Sequence, residues 1–143
     1  MTLIRSVCIA TALALAPLAW AHDDATLDTF KSPNGGQLRA AGEFHFELVV
    51  APASAEARPA PVVLYVTDHA GGKVATAGAS GTVTLLSGAQ KTSIALQPDG
   101  ENRLKGSGTY RSAADLKAIV AVTVAGKTTE QARFTPLAKA QPN

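Results

Sequence analysis

Short apolar runs, separated by Gly, Pro, Asn and Asp, make up most of the chain between residues 37 and 135, and helical periodicity is almost absent. In the clearest run, 44–50, apolar residues occupy every second position. Such alternation is the signature of a half-buried strand, with its apolar side chains on one face. His45 and Glu47 then share the opposite, polar face.

Seven other runs have the same composition of apolar and β-branched residues between turn formers. They predict strands at 37–41, 62–67, 82–86, 92–96, 102–105, 119–124 and 128–135. Pro59 and Pro61 restrict the start of the strand at 62–67, and residues 112–115 are typical of a cap before one helical turn that turns Leu116 inward. About eight strands in about 100 residues predict an all-β fold, an immunoglobulin-like antiparallel β-sandwich. Its predicted core consists of Phe44, Phe46, Leu48, Val50, Leu64, Val66, Val83, Leu85, Ile94, Leu96, Val120, Val122 and Phe134.

The first 21 residues are typical of a secretory signal peptide. Arg5 gives a positive start, residues 9–18 are apolar, and Ala19-Trp20-Ala21 is an A-x-A cleavage site. An uncleaved anchor helix is the alternative, which Pro17 disfavours. We expect cleavage after Ala21, a periplasmic product without stable membrane insertion, a flexible segment at 22–32, the sandwich at 33–137 and a flexible tail at 138–143.

Composition restricts the function classes. The 143 residues carry 13 basic and 11 acidic side chains, a net charge of +2 that makes no strong electrostatic case for binding nucleic acid. The single cysteine, Cys8, lies inside the signal peptide, so the mature chain has no thiol. Neither a phosphate-binding loop nor a G-x-S-x-G nucleophile motif is present. The chain is therefore predicted not to be an enzyme.

Three histidines are the remaining candidates for chemistry, because imidazole is the commonest metal ligand. Each has an acidic neighbour, and His45 with Glu47, and Asp68 with His69, are candidate ligand pairs. The alternatives are a solvated strand face for His45 and Glu47 and a polar turn for Asp68 and His69. Cleavage would make His22 the first residue, whose α-amine and imidazole together chelate copper(II) well; the alternative is a loose polar end.

A resemblance adds to this interpretation. It is carried by Pro33-Asn34-Gly35-Gly36-Gln37, by residues 41–49 and by residues 64–74, which read AGEFHFELV and LYVTDHAGGKV. These segments resemble small exported bacterial proteins and the β-rich N-terminal segment of periplasmic adaptor subunits of heavy-metal efflux pumps. The likeness covers most of residues 33–107.

The resemblance implies a periplasmic accessory protein in copper or zinc handling, with a metal efflux complex as partner. His45, Glu47, Asp68 and His69 match polar positions of the group's pattern. Asn34 departs from it, since the group has a histidine there, and an amide is a poorer metal ligand. The alternative function is a structural or interaction module of a bacterial envelope complex that binds no metal.

Overall fold

The structure, a computed structural model, describes residues 24–138. The predicted signal peptide, His22 and residues 139–143 of the predicted tail lie outside this range. One short helix, α1 (Asp24–Leu27), precedes eight strands. The strands are β1 (Gln37–Ala41), β2 (Phe44–Val49), β3 (Arg58–Asp68), β4 (Ser80–Ser87), β5 (Gln90–Pro98), β6 (Arg103–Tyr110), β7 (Lys117–Thr123) and β8 (Thr129–Phe134).

All neighbouring strands are antiparallel, in the order β1-β2-β3-β6-β5-β4-β7-β8. The prediction of an all-β antiparallel fold of about eight strands is confirmed. The sandwich stays a prediction, because the strands form one continuous hydrogen-bonded sheet. We call β1, β2, β3 and β6 the first half of this sheet, and β5, β4, β7 and β8 the second half.

The two halves share one hydrophobic core. Strands β5 and β6 join them through only two residue pairs, Gln97 with Lys105 and Pro98 with Leu104. Every predicted core residue is buried except Val50, which is partly buried and packs against the cluster. The core also contains residues outside that prediction, among them Val62, Leu104, Tyr110 and Leu116. The outward positions of each half are therefore the surfaces available for function.

Strands β3 to β7 are all longer than the sequence pattern predicts, and β3 and β6 show the physical reason. Strand β3 begins at Arg58 and includes both prolines. They fit because β2 ends opposite Val63, so the β2-facing edge of β3 before that point has no strand whose hydrogen bonds a proline would remove. Strand β6 continues to Tyr110 through two glycines. A Cβ at Gly106 would clash with the carbonyl oxygen of Ala95, so this close approach of β5 requires glycine.

The segment before β1 packs on the sheet. Leu27 of α1 is buried, and Asp28, just after the helix, forms an ion pair with Arg39 of β1 at 2.6 Å. Residues 113–116 form a hydrogen-bonded turn in place of the predicted helical turn, with Leu116 N donating to Ala113 O at 2.9 Å, and Leu116 is buried as predicted. Among residues 24–138, no helix is long and apolar enough to cross a membrane.

Candidate metal site

Glu47 lies on the outward face of β2, yet it is only 3% exposed. The loop before β1 covers it and donates three hydrogen bonds. Oε1 accepts from the backbone N–H groups of Asn34 at 2.8 Å and Gly36 at 3.0 Å, and Oε2 accepts from the Asn34 side-chain amide at 2.8 Å. Both carboxylate oxygens therefore already hold the loop. A metal ion bound to Glu47 would compete with these hydrogen bonds.

The covering loop depends on its two glycines. Gly35 has a φ of +75°, a left-handed conformation that glycine adopts without steric cost. Gly36 lies so close to β2 that a Cβ there would clash with the carbonyl oxygen of Leu48. Asn34 supplies the amide that reaches Glu47. In this chain the Asn34-Gly35-Gly36 motif is thus a clamp over a buried carboxylate.

The side chain of Asp68, at the end of β3, accepts hydrogen bonds from the turn that follows it. Its Oδ1 accepts from the N–H groups of Ala70 at 2.9 Å and Gly72 at 2.7 Å. This is the ordinary way in which an aspartate stabilises a turn. Gly71 has a φ of +83° in the same turn. The turn itself explains an aspartate at this position.

The imidazoles of His45 and His69 come together. His45 lies opposite Thr67 in the pairing of β2 with β3, and His69 follows two residues after Thr67, beyond the strand end. The ring centroids are 4.6 Å apart, with the planes tilted by 41°. Nε2 of His69 lies 3.0 Å from the carbonyl oxygen of Gly42, and Nε2 of His45 is buried. His45 and His69 were predicted as ligands in separate pairs, and the fold brings these two side chains together from different parts of the chain.

The N-terminal side of the described chain lies on the other face of the sheet from this pair. Arg39 of β1 pairs with Phe46, and its guanidinium reaches Asp24 at 3.7 Å and Asp28 at 2.6 Å. Phe46 points into the core, whereas its neighbour His45 points outward. His22 lies outside the described residues, so the approach of His45 or His69 to a chelate at His22 stays a prediction.

A hollow of about 360 Å³ opens beside His45, lined also by Asn34, Tyr65, Thr67, Lys73 and Asn102. At its margin, a hydrogen bond with Tyr65 and then the nearby carboxylate of Asp99 raise the pKa of the Arg103 guanidinium. Within the described residues, no three His, Cys, Asp or Glu side chains form a group that could hold a metal ion. Among residues 24–138, the two imidazoles are therefore a pair of potential ligands and not part of a larger ligand group.

Sequence reasoning missed the lining residues Tyr65, Lys73 and Asn102. Tyr65 is opposite Glu47 in the pairing of β3 with β2, Lys73 is bridged to Thr67, and Asn102 is hydrogen-bonded to Val66, all of which are tertiary contacts. Sequence reasoning also missed the role of Asn34, for which the adjacent glycines were the available signal. Searches of protein family models, curated proteins and solved structures find no match to this chain.

Proposed function

We propose that this protein binds a divalent transition metal ion, copper(II) or zinc, through the imidazoles of His45 and His69, and handles that ion in the periplasm. The observation that supports the proposal is the 4.6 Å separation of the two rings. The residues lie 24 positions apart in sequence, so local chain geometry does not bring them together. Imidazole is a good ligand for both ions.

The surroundings of His69 suit a ligand. Histidines bound to metals usually donate their second ring N–H to a carbonyl or carboxylate, which fixes the tautomer and orients the ring. The 3.0 Å contact between His69 Nε2 and Gly42 O provides such a partner, and coordination would then use Nδ1. His45 is held on a paired strand between β1 and β3. Both rings therefore start from defined positions.

Two imidazoles form an incomplete coordination shell, since zinc in structural sites has four protein ligands. Affinity should be lower than at such a site, and the vacant positions would let the ion pass to or from another molecule. Glu47 and Asp68 are not needed as ligands, because both already stabilise loops. This favours an accessory role in metal handling, alongside an efflux complex, over permanent storage.

The test is a titration of the processed chain with zinc or copper(II) against a chelator of known affinity. We expect one ion per chain, and thermal stabilisation of about 2.7 kcal/mol at 100 times the dissociation constant. His45→Gln and His69→Gln should each lower the affinity at least tenfold. Binding should also weaken with falling pH, because protons compete for the imidazoles.

His22→Gln is the matched control, since it removes the third histidine and leaves the pair intact. Unchanged affinity in this variant, with loss in the other two, supports the proposal. Loss in His22→Gln alone would overturn it by moving the site to the chain end. No binding by the wild-type chain would overturn it as well.

A second candidate function, an interaction module of an envelope complex, has an observation of its own. Lys91, Lys117 and Arg133 surround an exposed apolar pair on the outer face of the second half. That face lies on strands other than those that carry His45 and His69, so the two functions are compatible.

A further inference from the structure

Two large apolar side chains stand exposed on the outer face of the second half. Leu86 of β4 is 40% exposed and Ile119 of β7 is 38% exposed. Thr84 lies opposite Ile119, so Leu86 and Ile119 are diagonal neighbours on adjacent strands. They help form a hollow of about 620 Å³, a size typical of ligand sites.

Cationic side chains surround this apolar pair. Lys91 of β5 and Lys117 of β7 stand directly opposite Leu86 on its two sides, and Arg133 of β8 stands opposite Ile119. None of the three belongs to an ion pair found within residues 24–138. The outward positions of β5, β4, β7 and β8 include no aspartate or glutamate. The face therefore presents positive charge without internal compensation.

Five other cations of the described chain form ion pairs, namely Arg39, Lys73, Arg103, Arg111 and Lys127. Lys73 pairs with Glu101 at 3.0 Å, and Lys127 pairs with Glu43 at 3.1 Å. The lining of the hollow also includes Asp24 and Arg39, which lie 3.7 Å apart, so its cations outnumber its carboxylates. The charge on this face is complementary to an anion supplied from outside.

We propose that this face docks an acidic amphipathic segment of a partner protein. One apolar side chain of the segment would fill the hollow over Leu86 and Ile119, and flanking carboxylates would pair with Lys91, Lys117 and Arg133. A peptide segment fits better than a lipid surface, because this face exposes only two large apolar side chains among the described residues. Binding at a bilayer interface relies on a broad apolar face.

The spacing of the cations suits an extended segment. Adjacent strands are about 4.8 Å apart, so Lys91 and Lys117 lie about 10 Å apart across Leu86. Alternate residues of an extended peptide are about 7 Å apart on one face. Carboxylates on either side of a central apolar residue can therefore reach both lysines through their flexible side chains.

The test uses a short synthetic peptide in which glutamates flank a Leu-x-Leu pair, titrated into the metal-free chain and followed by NMR. Shifts should centre on Leu86 and Ile119. A peptide with glutamines in place of the glutamates should bind at least fivefold more weakly, and so should a peptide with alanines in place of the leucines. A higher salt concentration should weaken binding of the glutamate peptide, because salt screens the interaction between exposed charges.

Lys91→Glu and Lys117→Glu should each reduce the affinity for the glutamate peptide at least about twofold. Lys105→Glu is the matched control, since it changes net charge equally from an exposed position on β6, and it should leave the affinity unchanged. An equal loss in this control would overturn the proposal by showing only a net-charge effect. Shifts centred away from Leu86 and Ile119 would overturn it too.

The last measurement is binding to vesicles of equal parts phosphatidylglycerol and phosphatidylcholine. Binding to these vesicles that depends on Lys91 and Lys117, without peptide binding, would overturn the peptide proposal in favour of a membrane. Concentration-dependent self-association lost in Lys117→Glu would overturn it in favour of a second copy of the chain. The metal site can fail or succeed independently, since this experiment contains no metal.

Discussion

The outer faces of the two halves differ in how their polar groups are satisfied. On the first half, Glu47 accepts three hydrogen bonds from a loop, and Asp68 accepts two within its turn. On the second half, Lys91, Lys117 and Arg133 face outward without an ion pair among the described residues. The two carboxylates of the first face are thus held by their own chain, whereas these three cations of the second face have no anionic partner there.

The two faces show that the type of a polar residue does not determine whether its atoms are available to a ligand. Carboxylates beside histidines suggest a metal site in sequence, but hydrogen bonds determine whether those oxygens can coordinate. Lysines spaced along several strands suggest only solvent exposure in sequence. They become a coherent surface once strand pairing places Lys91 and Lys117 on either side of Leu86.

The largest expected effect tests whether both faces depend on one core. Phe46 is fully buried, so Phe46→Ala should lower the free energy of unfolding by about 3–5 kcal/mol. Leu86→Ala, at a 40% exposed position on the second half, should lower it by less than about 1 kcal/mol. Chemical denaturation followed by two probes should show one transition for each variant. Similar losses in the two variants would contradict the burial difference.

The next prediction compares a satisfied carboxylate with an unpaired cation. Glu47→Gln leaves one acceptor oxygen facing three N–H donors, so it should lower the free energy of unfolding by about 1.5–3 kcal/mol. Lys117→Gln should change it by no more than about 0.5 kcal/mol. Hydrogen exchange at Gly36 should accelerate only in the first variant. A neutral Glu47→Gln would show that the loop does not depend on this carboxylate.

Much of the fold could be predicted because alternation and turn residues act locally. The bounds of β1 match the prediction, and those of β2 differ by one residue. The second part of β6 was missed because Gly106 and Gly108 are typical of loops, and only the close approach of β5 explains them. That approach is a tertiary contact, which local β-propensity does not predict.

The candidate site was less accessible to sequence reasoning. The contact between His45 and His69 depends on the register that sets His45 opposite Thr67. The sequence of the strand alone does not indicate that register. The burial of Glu47 depends on a loop 11 to 13 positions away in sequence. Glycines next to Asn34 indicated a tight turn, but not which strand the turn covers.

A smaller effect concerns a buried hydroxyl of the first half. Tyr110 O–H donates to Pro61 O at 2.8 Å and accepts from Ala51 N at 2.9 Å, so Tyr110→Phe should lower the free energy of unfolding by about 1–2 kcal/mol. Burial raises the pKa of Tyr110. The folded state therefore favours the protonated phenol, and this contribution to stability is lost as pH rises above about 10.

The measurement of Tyr110 uses the tyrosinate absorbance of Tyr65→Phe, in which Tyr110 is the remaining tyrosine. We expect a pH midpoint above that of the unfolded chain. The Tyr110→Phe variant should lack the corresponding loss of stability at high pH. Equal midpoints in folded and unfolded chains would contradict the effect of burial.

The smallest expected effect on stability concerns the ion pair between Asp28 and Arg39. A hydrogen bond from Arg39 lowers the pKa of Asp28, so the folded state favours the carboxylate. The resulting stabilisation is present above about pH 4 and is lost as pH falls through the depressed folded value. Because the Asp28 side chain is 48% exposed, solvent limits this contribution to less than about 1 kcal/mol.

Asp28→Asn should therefore lower stability slightly at pH 7, and the difference from wild type should shrink toward zero as the wild-type carboxylate is protonated below about pH 4. Arg39 also lines the hollow beside Leu86 and Ile119. Arg39 keeps Asp24 as a partner, but the loss of the Asp28 charge makes the hollow more positive, so Asp28→Asn should bind the acidic peptide slightly more tightly than wild type does. Weaker binding would contradict the electrostatic basis of the docking face, because the substitution removes a negative charge beside that hollow.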